Sequence, residues 1–292
     1  MLTLAKVREG IGCQSTAKDK SAAPMKCSCN LRKGRLGYQT MEIILFALLG
    51  WLMGVLINRA ADNLPAHRSL LAAPHCPYCD TPRPVLGQIA LLSYLLLRGR
   101  CPNCRAPISL RAPLVEFANA LAFAFLWTRY GAQVQLLWML VYTVVFLLVL
   151  VIDLEHRLIL NVVILPAMLI AALASPLSQM GWARSLLGGV VAFVIVFGIY
   201  IFAEIFSRWR KLNIEGGAFG QGDVKLALFM GIVTGFPAVF PAILATILLG
   251  GVGAILFLAY QLIVHRRLMM NAAIPYGPFF CIAGWVLMVF GT

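Results

Sequence analysis

The sequence predicts an all-α polytopic membrane protein of about eight transmembrane helices with one cysteine-bearing cytoplasmic loop. Three observations predict it. The chain of 292 residues is 61% hydrophobic and only 12% charged, with a mean hydropathy of +0.87, whereas a soluble domain carries about 25% charged residues. Eight apolar runs, roughly 42–58, 113–128, 134–152, 158–174, 185–206, 224–235, 238–264 and 278–290, are mostly near the length a bilayer-crossing helix needs. The segments that join them alternate between rich and poor in Arg and Lys.

Residues 1–40 stand apart, with eight Lys or Arg against Glu9 and Asp19 and no sustained apolar periodicity. They read as a basic extension, disordered or belonging to a start site placed too early. Met41 opens the first span, which runs to about residue 58. The loop 59–112 follows with Arg59, Arg68, Arg83, Arg98, Arg100, Arg105 and Arg111; the next connection has Arg129 alone. Then come His156 and Arg157, Arg184 alone, and Arg208, Arg210, Lys211 and Lys225. After the uncharged turn Gly235-Phe236-Pro237, His265, Arg266 and Arg267 close the series. Basic loops stay cytoplasmic, so eight spans with both termini outside satisfy every internal loop, and only the basic tail dissents. The net charge of +13 thus orients helices and meets anionic headgroups and implies no nucleic-acid partner. Residues 113–292 form the membrane-embedded domain. Within it, Gly188-Gly189 and Gly250-Gly251-Val252-Gly253 predict close helix packing.

Seven prolines in 59–112 confine any long helix there to about Gly87–Arg98. Around it, Cys76-Pro-Tyr-Cys79 and Cys101-Pro-Asn-Cys104 are separated by 21 residues. Two such knuckles can hold Zn²⁺ in a tetrahedron of thiolates, and four cysteines leave no open position, which makes the site structural. Redox cysteines and a site that no longer holds metal are the competing readings. Cys281 reads as a small buried apolar residue, and Cys13, Cys27 and Cys29 receive no role.

Acids are scarce in the apolar runs, and two of them map to one membrane boundary. Asp223 lies in Gly220-Gln221-Gly222-Asp223-Val224-Lys225-Leu226 and Asp153 in Ile152-Asp153-Leu154-Glu155-His156-Arg157. Two carboxylates brought together cannot both ionise cheaply and share a proton. That state suits peptide hydrolysis, one member taking a proton from water and the other donating to the carbonyl. Plainer readings are a helix cap for Asp223 and an interfacial charge or a partner of Arg157 for Asp153. Lys225 is either a carboxylate's neighbour or a snorkelling cation. Glu204 and Glu42 are further candidates without an evident partner. A transporter or channel with a zinc-stabilised loop is the alternative from another class, but its coupling acids belong near the midplane.

In order along the chain, the residues Asn58-Arg59, Leu64-Pro65, both CxxC pairs, Leu97-Arg98-Gly99-Arg100-Cys101, Ile108-Ser109 and Pro113-Leu114-Val115-Glu116 resemble the type IV prepilin peptidases. So do the two aspartate segments and Ile274-Pro275-Tyr276-Gly277-Pro278. The resemblance runs from about Met41 to the C-terminus. It implies a bifunctional membrane enzyme that cleaves the basic leader of prepilins or pseudopilins on the cytoplasmic face of the bacterial inner membrane. It further implies N-methylation of the new terminus with S-adenosylmethionine, Asp153 and Asp223 as catalytic residues, and Cys76, Cys79, Cys101 and Cys104 as the zinc-type loop. One departure is Ile159-Leu160 where the family has Ile-Pro, which touches how the fourth span starts. No glycine-rich cofactor loop marks a methyltransferase site.

Overall fold

The computed structural model describes residues 30–69, 78–79, 81, 89–97, 99–101, 103–107, 109–178, 180–209, 220–265 and 275–291. Contacts divide the chain at Gln39 and Thr40. Of the first unit only the opening turns of a helix are described. The regular structure described is helical, apart from one isolated antiparallel bridge between Arg100 and Pro107.

The helices are α1 (Asn30–Asn63), α2 (Ala90–Leu97), α3 (Arg111–Tyr130), α4 (Val134–His156), α5 (Asn161–Ala174), α6 (Trp182–Trp209), α7 (Gln221–Thr234), α8 (Val239–His265) and α9 (Gly277–Phe290). Eight of these coincide with the eight apolar runs, and α2 with the helix expected inside the loop. As described, α1 begins ahead of the expected start at Met41. Thr40–Asn63 of α1, together with α4, α6 and the Val239–Ile263 part of α8, is long and apolar enough to cross a membrane. By contrast α5, α7 and α9 have 14 residues each, a rise of about 21 Å.

α7 is the helix the others surround. It packs against α5, α6, α8 and α9, and Leu226, Ala227, Phe229 and Met230 are fully buried, as expected of a helix apolar on all sides. Against α6 the contact is backbone to backbone. A Cβ on Gly231 would stand 2.4 Å from the Gly188 carbonyl oxygen, and one on Gly188 2.4 Å from that of Gly231. Ser185 Oγ donates to the Ile232 carbonyl at 2.6 Å, and the Phe236 N–H to the Arg184 carbonyl at 2.9 Å. The small residues at 188–189 therefore do pack a neighbouring helix. Of the second glycine stretch, Gly250 and Gly253 meet the rings of Tyr276 and Phe279, while Gly251 meets nothing. On its other side α7 sets Phe229 against Phe146 and Tyr142 of α4, with centroids 5.0 and 6.0 Å apart.

Polar contacts establish which helix ends lie together. Arg111, opening α3, bonds Asp62 near the end of α1 and Glu155 near the end of α4. Lys225 near the start of α7 donates to Asn161 at the start of α5, at 2.7 Å. At the far end, Tyr130 Oη donates to the Val289 carbonyl at 3.1 Å, joining the ends of α3 and α9. These described helix ends fit the up-and-down alternation expected from the charge pattern of the connections.

Candidate active site and metal centre

α4 continues one turn beyond the expected boundary at residue 152. It ends on Arg157 in the left-handed conformation (φ 54°), whose N–H bonds the Asp153 carbonyl at 2.9 Å. Asp153 therefore occupies the last turn of the helix, 5% exposed, while Arg157 is exposed. Asp223 is the third residue of α7, which Gly220 opens with an extended backbone, and the Asp223 N–H bonds the Gly220 carbonyl at 3.1 Å. The glycines before Asp223 serve close approach. A Cβ on Gly222 would stand 2.8 Å from Ile159 Cβ, so its absence lets the α4–α5 connection lie against α7. Gly220 itself needs no positive φ, at −80°.

The two carboxyls lie within electrostatic reach of each other and both within reach of Cys281 on α9. Gly277, the first residue of α9, completes the cluster. Its backbone N–H faces the Asp153 carboxyl, and a Cβ on it would stand 2.5 Å from Asp153 Oδ2. Glycine is the residue that fits. Asp153 Oδ2 is buried with no hydrogen-bond partner among the described residues, so it remains able to bond a water or a substrate group. The arrangement joins one helix C-terminus and two helix N-termini around a pair of acids.

Glu204, Asp62 and Glu155 have structural partners. Glu204 accepts from Arg208 Nε at 3.0 Å, one turn along α6, which supplies the partner that the sequence did not reveal. Asp62 and Glu155 share the guanidinium of Arg111. Sequence reasoning named Glu116 only among the residues of the resemblance and gave it no role; it is fully buried on α3. Its carboxylate accepts from the Ala90 and Leu91 N–H groups, both at 2.8 Å, and from Trp51 Nε1 at 3.1 Å. It caps α2 and fixes it to α1. The available signal was an acid inside an apolar run. Gly277, quoted in the resemblance, had no role assigned because its role depends on how α9 meets α4. At the start of α5, Leu160 has φ −73°, close to the value a proline ring imposes, so the helix begins as it would with proline.

In the loop, the Sγ atoms of Cys79, Cys101 and Cys104 all lie within 4.8 Å of one another, and those of Cys79 and Cys101 are 4.0 Å apart. A tetrahedron with Zn–S bonds of about 2.3 Å has edges of roughly 3.8 Å. Arg105 (φ 57°) turns the chain after Cys104 and bonds the Cys101 carbonyl, and the Cys101 N–H bonds the Ala106 carbonyl. These three residues could hold a metal. The predicted fourth ligand, Cys76, lies outside the described residues, as do Cys13, Cys27 and Cys29.

A family model described as the bacterial peptidase A24 N-terminal domain matches residues 48–130. A second, for the type IV leader peptidase family, matches residues 140–255. The chain is similar to the prepilin leader peptidase/N-methyltransferase of Aeromonas hydrophila, 31% identical over 231 residues, 78% of this chain and 74% of the relative. It is 30% identical over 283 residues to the protein of that name from Stutzerimonas stutzeri, covering 89% and 93% of the two chains. With that of Bacillus subtilis (strain 168) it shares 30% over 242 residues, 81% and 92%. No solved structure matches the chain.

Proposed function

The chain belongs to the type IV leader peptidase family, and from that premise we propose that it is a membrane aspartic endopeptidase that removes the leader of type IV prepilins or pseudopilins. The observation that carries the reading is the meeting of Asp153 and Asp223 at one end of the bundle, between the C-terminus of α4 and the N-termini of α7 and α9. In the reaction the ionised member of the pair takes a proton from water as the water oxygen bonds to the scissile carbonyl carbon. The protonated member donates to the carbonyl oxygen. Collapse of the tetrahedral species breaks the C–N bond, and the departing amine takes up the proton the first carboxyl holds.

The acidic pair, the cysteine loop and the basic connections share the cytoplasmic side of the bacterial inner membrane, where leaders of prepilins are presented. Cys79, Cys101 and Cys104, with Cys76, hold one Zn²⁺ that stabilises the loop and takes no part in hydrolysis. The relatives' names pair the peptidase with an N-methyltransferase, and the same enzyme methylates the new N-terminus, the methyl group coming from S-adenosylmethionine. No cradle for that cofactor is recognisable among the described residues.

The test is to incubate the protein in detergent or lipid with a prepilin that retains its apolar helix, and to read the product's N-terminus by mass spectrometry. Cleavage at the leader junction with one added methyl group is expected. An uncleaved substrate defeats the peptidase reading, and a cleaved but unmethylated one, with S-adenosylmethionine present, defeats the second half.

A further inference from the structure

Two cavities run together between α3 and α4. One, of about 220 Å³, is lined by Ala118 and Ala122 of α3, Phe146 and Leu150 of α4, and Cys281 and Trp285 of α9, among others. The other, of about 270 Å³, shares Ala118, Leu147 and Leu150 with the first and continues to Arg111 and Glu155. Together they make a groove that follows α3 from Arg111 to Ala122, a rise of roughly 16 Å. On α4, Phe146 and Leu150 lie within about 60° of Asp153 around the axis at about 100° per residue, whereas Leu154 and Val151, nearer the mouth, lie about 100° and 160° from it; Gly277 and Cys281 are one turn apart on α9. The inner part of the groove, at Phe146, Leu150 and Cys281, therefore lies on the side of α4 and α9 that carries the contact between Asp153 and Gly277. Cys281, which lines it, is within electrostatic reach of both carboxyls.

We infer that this groove holds the apolar helix of the substrate, with the scissile bond at its Asp153–Asp223 end. The inference rests on the peptidase reading above and specifies where that substrate lies. Its walls suit a helix in lipid. They are nearly devoid of polar atoms, and two alanines one turn apart on α3 let a second backbone approach closely. At the mouth, Asp62 and Glu155 both bond Arg111, which places two carboxylates where a cationic segment preceding the helix would pass. A competing cleft of about 220 Å³ between α6 and α7 is lined by Gln221 and Val224, close to Asp223 in the chain. Its wall is the stacked ladder Phe193, Phe197 and Tyr200, with Gln221 and Lys225 adding polar groups. It has no small-residue face for a helix to approach.

The experiment places a benzophenone amino acid singly at four positions of the full chain carrying Asp223→Asn, so that a prepilin with its whole apolar helix is bound without being cut. Ile282 and Leu114 report the groove, Phe193 the competing cleft, and Leu248 on α8 the general lipid-facing surface; all four are exposed side chains. Adducts from Ile282 and Leu114, well above those from the other two, are expected. Adducts chiefly from Phe193, or equal yields from all four, overturn the groove. In the otherwise unaltered enzyme, Ala122→Leu fills the groove and should raise KM for the same prepilin several-fold with little change in kcat. An unchanged KM counts against the proposal. If the unaltered enzyme cuts the prepilin while adducts form elsewhere, the groove alone fails; if it cuts no prepilin, the peptidase reading fails and the groove with it.

Discussion

At the scale of single residues, Asp153 is held under costly conditions. A buried acceptor without a partner costs about 1–3 kcal/mol, and Asp153 Oδ2 is such an atom. A charge serving only to cap a helix end gains nothing from that burial. Asp153→Asn and Asp223→Asn should each abolish prepilin cleavage while leaving membrane insertion and melting temperature near those of the unaltered protein. The double variant should be no worse than either single one, because a shared-proton pair needs both carboxyls. Near-normal turnover in either single variant defeats the pairing. Gly277→Ala tests the geometry of the same carboxyl. With a Cβ 2.5 Å from Oδ2, Asp153 must rotate away, and displacement of a reacting group by about 1 Å lowers rates on the order of 10²-fold. Steady-state cleavage with a parallel melting curve separates this from unfolding, and full activity would show that the carboxyl can yield. Both aspartates were legible in the sequence, because acids are rare in apolar runs. Gly277 was not, since one glycine before a proline says nothing about the side chain it will face.

At the scale of elements, the cysteine loop is tied to the bundle by one carboxylate. Glu116 bonds two N–H groups of α2 and the indole of Trp51, and α2 leads within a few residues to Cys101. Glu116→Ala leaves one buried and two part-buried donors without a partner, the buried one costing about 1–3 kcal/mol and the others less. It should lower the melting temperature markedly, whereas Glu116→Gln, which keeps one acceptor oxygen, should lower it less. Equal effects would show that volume, not hydrogen bonding, sets the role of this side chain. For the metal, one zinc per chain is expected in purified protein, and Cys101→Ser or Cys104→Ser should lower zinc content and slow cleavage without abolishing it. Protein that contains no zinc, or a cysteine variant as inert as Asp153→Asn, would overturn a structural role. The elements themselves were legible from hydropathy, down to the short helix inside the loop. Their partners were not. Apolar faces look alike in lipid, whereas glycines such as 188 and 231 between α6 and α7, and 50 and 54 between α1 and α3, where backbone meets backbone, mark contacts by their small size.

At the scale of the whole molecule, the difference in length between α6 and α7 fixes the depth of the site. α6 has 28 residues and α7 has 14, rises of about 42 and 21 Å. Their far ends are joined by the bond from Phe236 N–H to the Arg184 carbonyl, so the mismatch falls at the end that carries Asp223. There Gln221 lines the same cavity as Tyr200, nine residues before the end of α6, so α7 begins about 14 Å short of it. A helix of about 42 Å exceeds a hydrocarbon core of about 30 Å by nearly that distance, which sets the start of α7 near the membrane boundary while α6 projects beyond it. Asp153 reaches the same level from the other direction, after roughly 28 Å of α4. Sequence spacing had already shown α7 too short to cross a core of full thickness, but not which end is recessed, because that depends on the pairing with α6. A bond cut at this depth must belong to a chain already seated in the membrane. A peptide carrying the leader and the scissile bond but lacking the apolar helix should therefore be cleaved far more slowly than the full-length prepilin, chiefly through a raised KM. Equal kcat/KM for the two in detergent would show that the pair is open to soluble chains, and that its depth plays no part in selecting substrates.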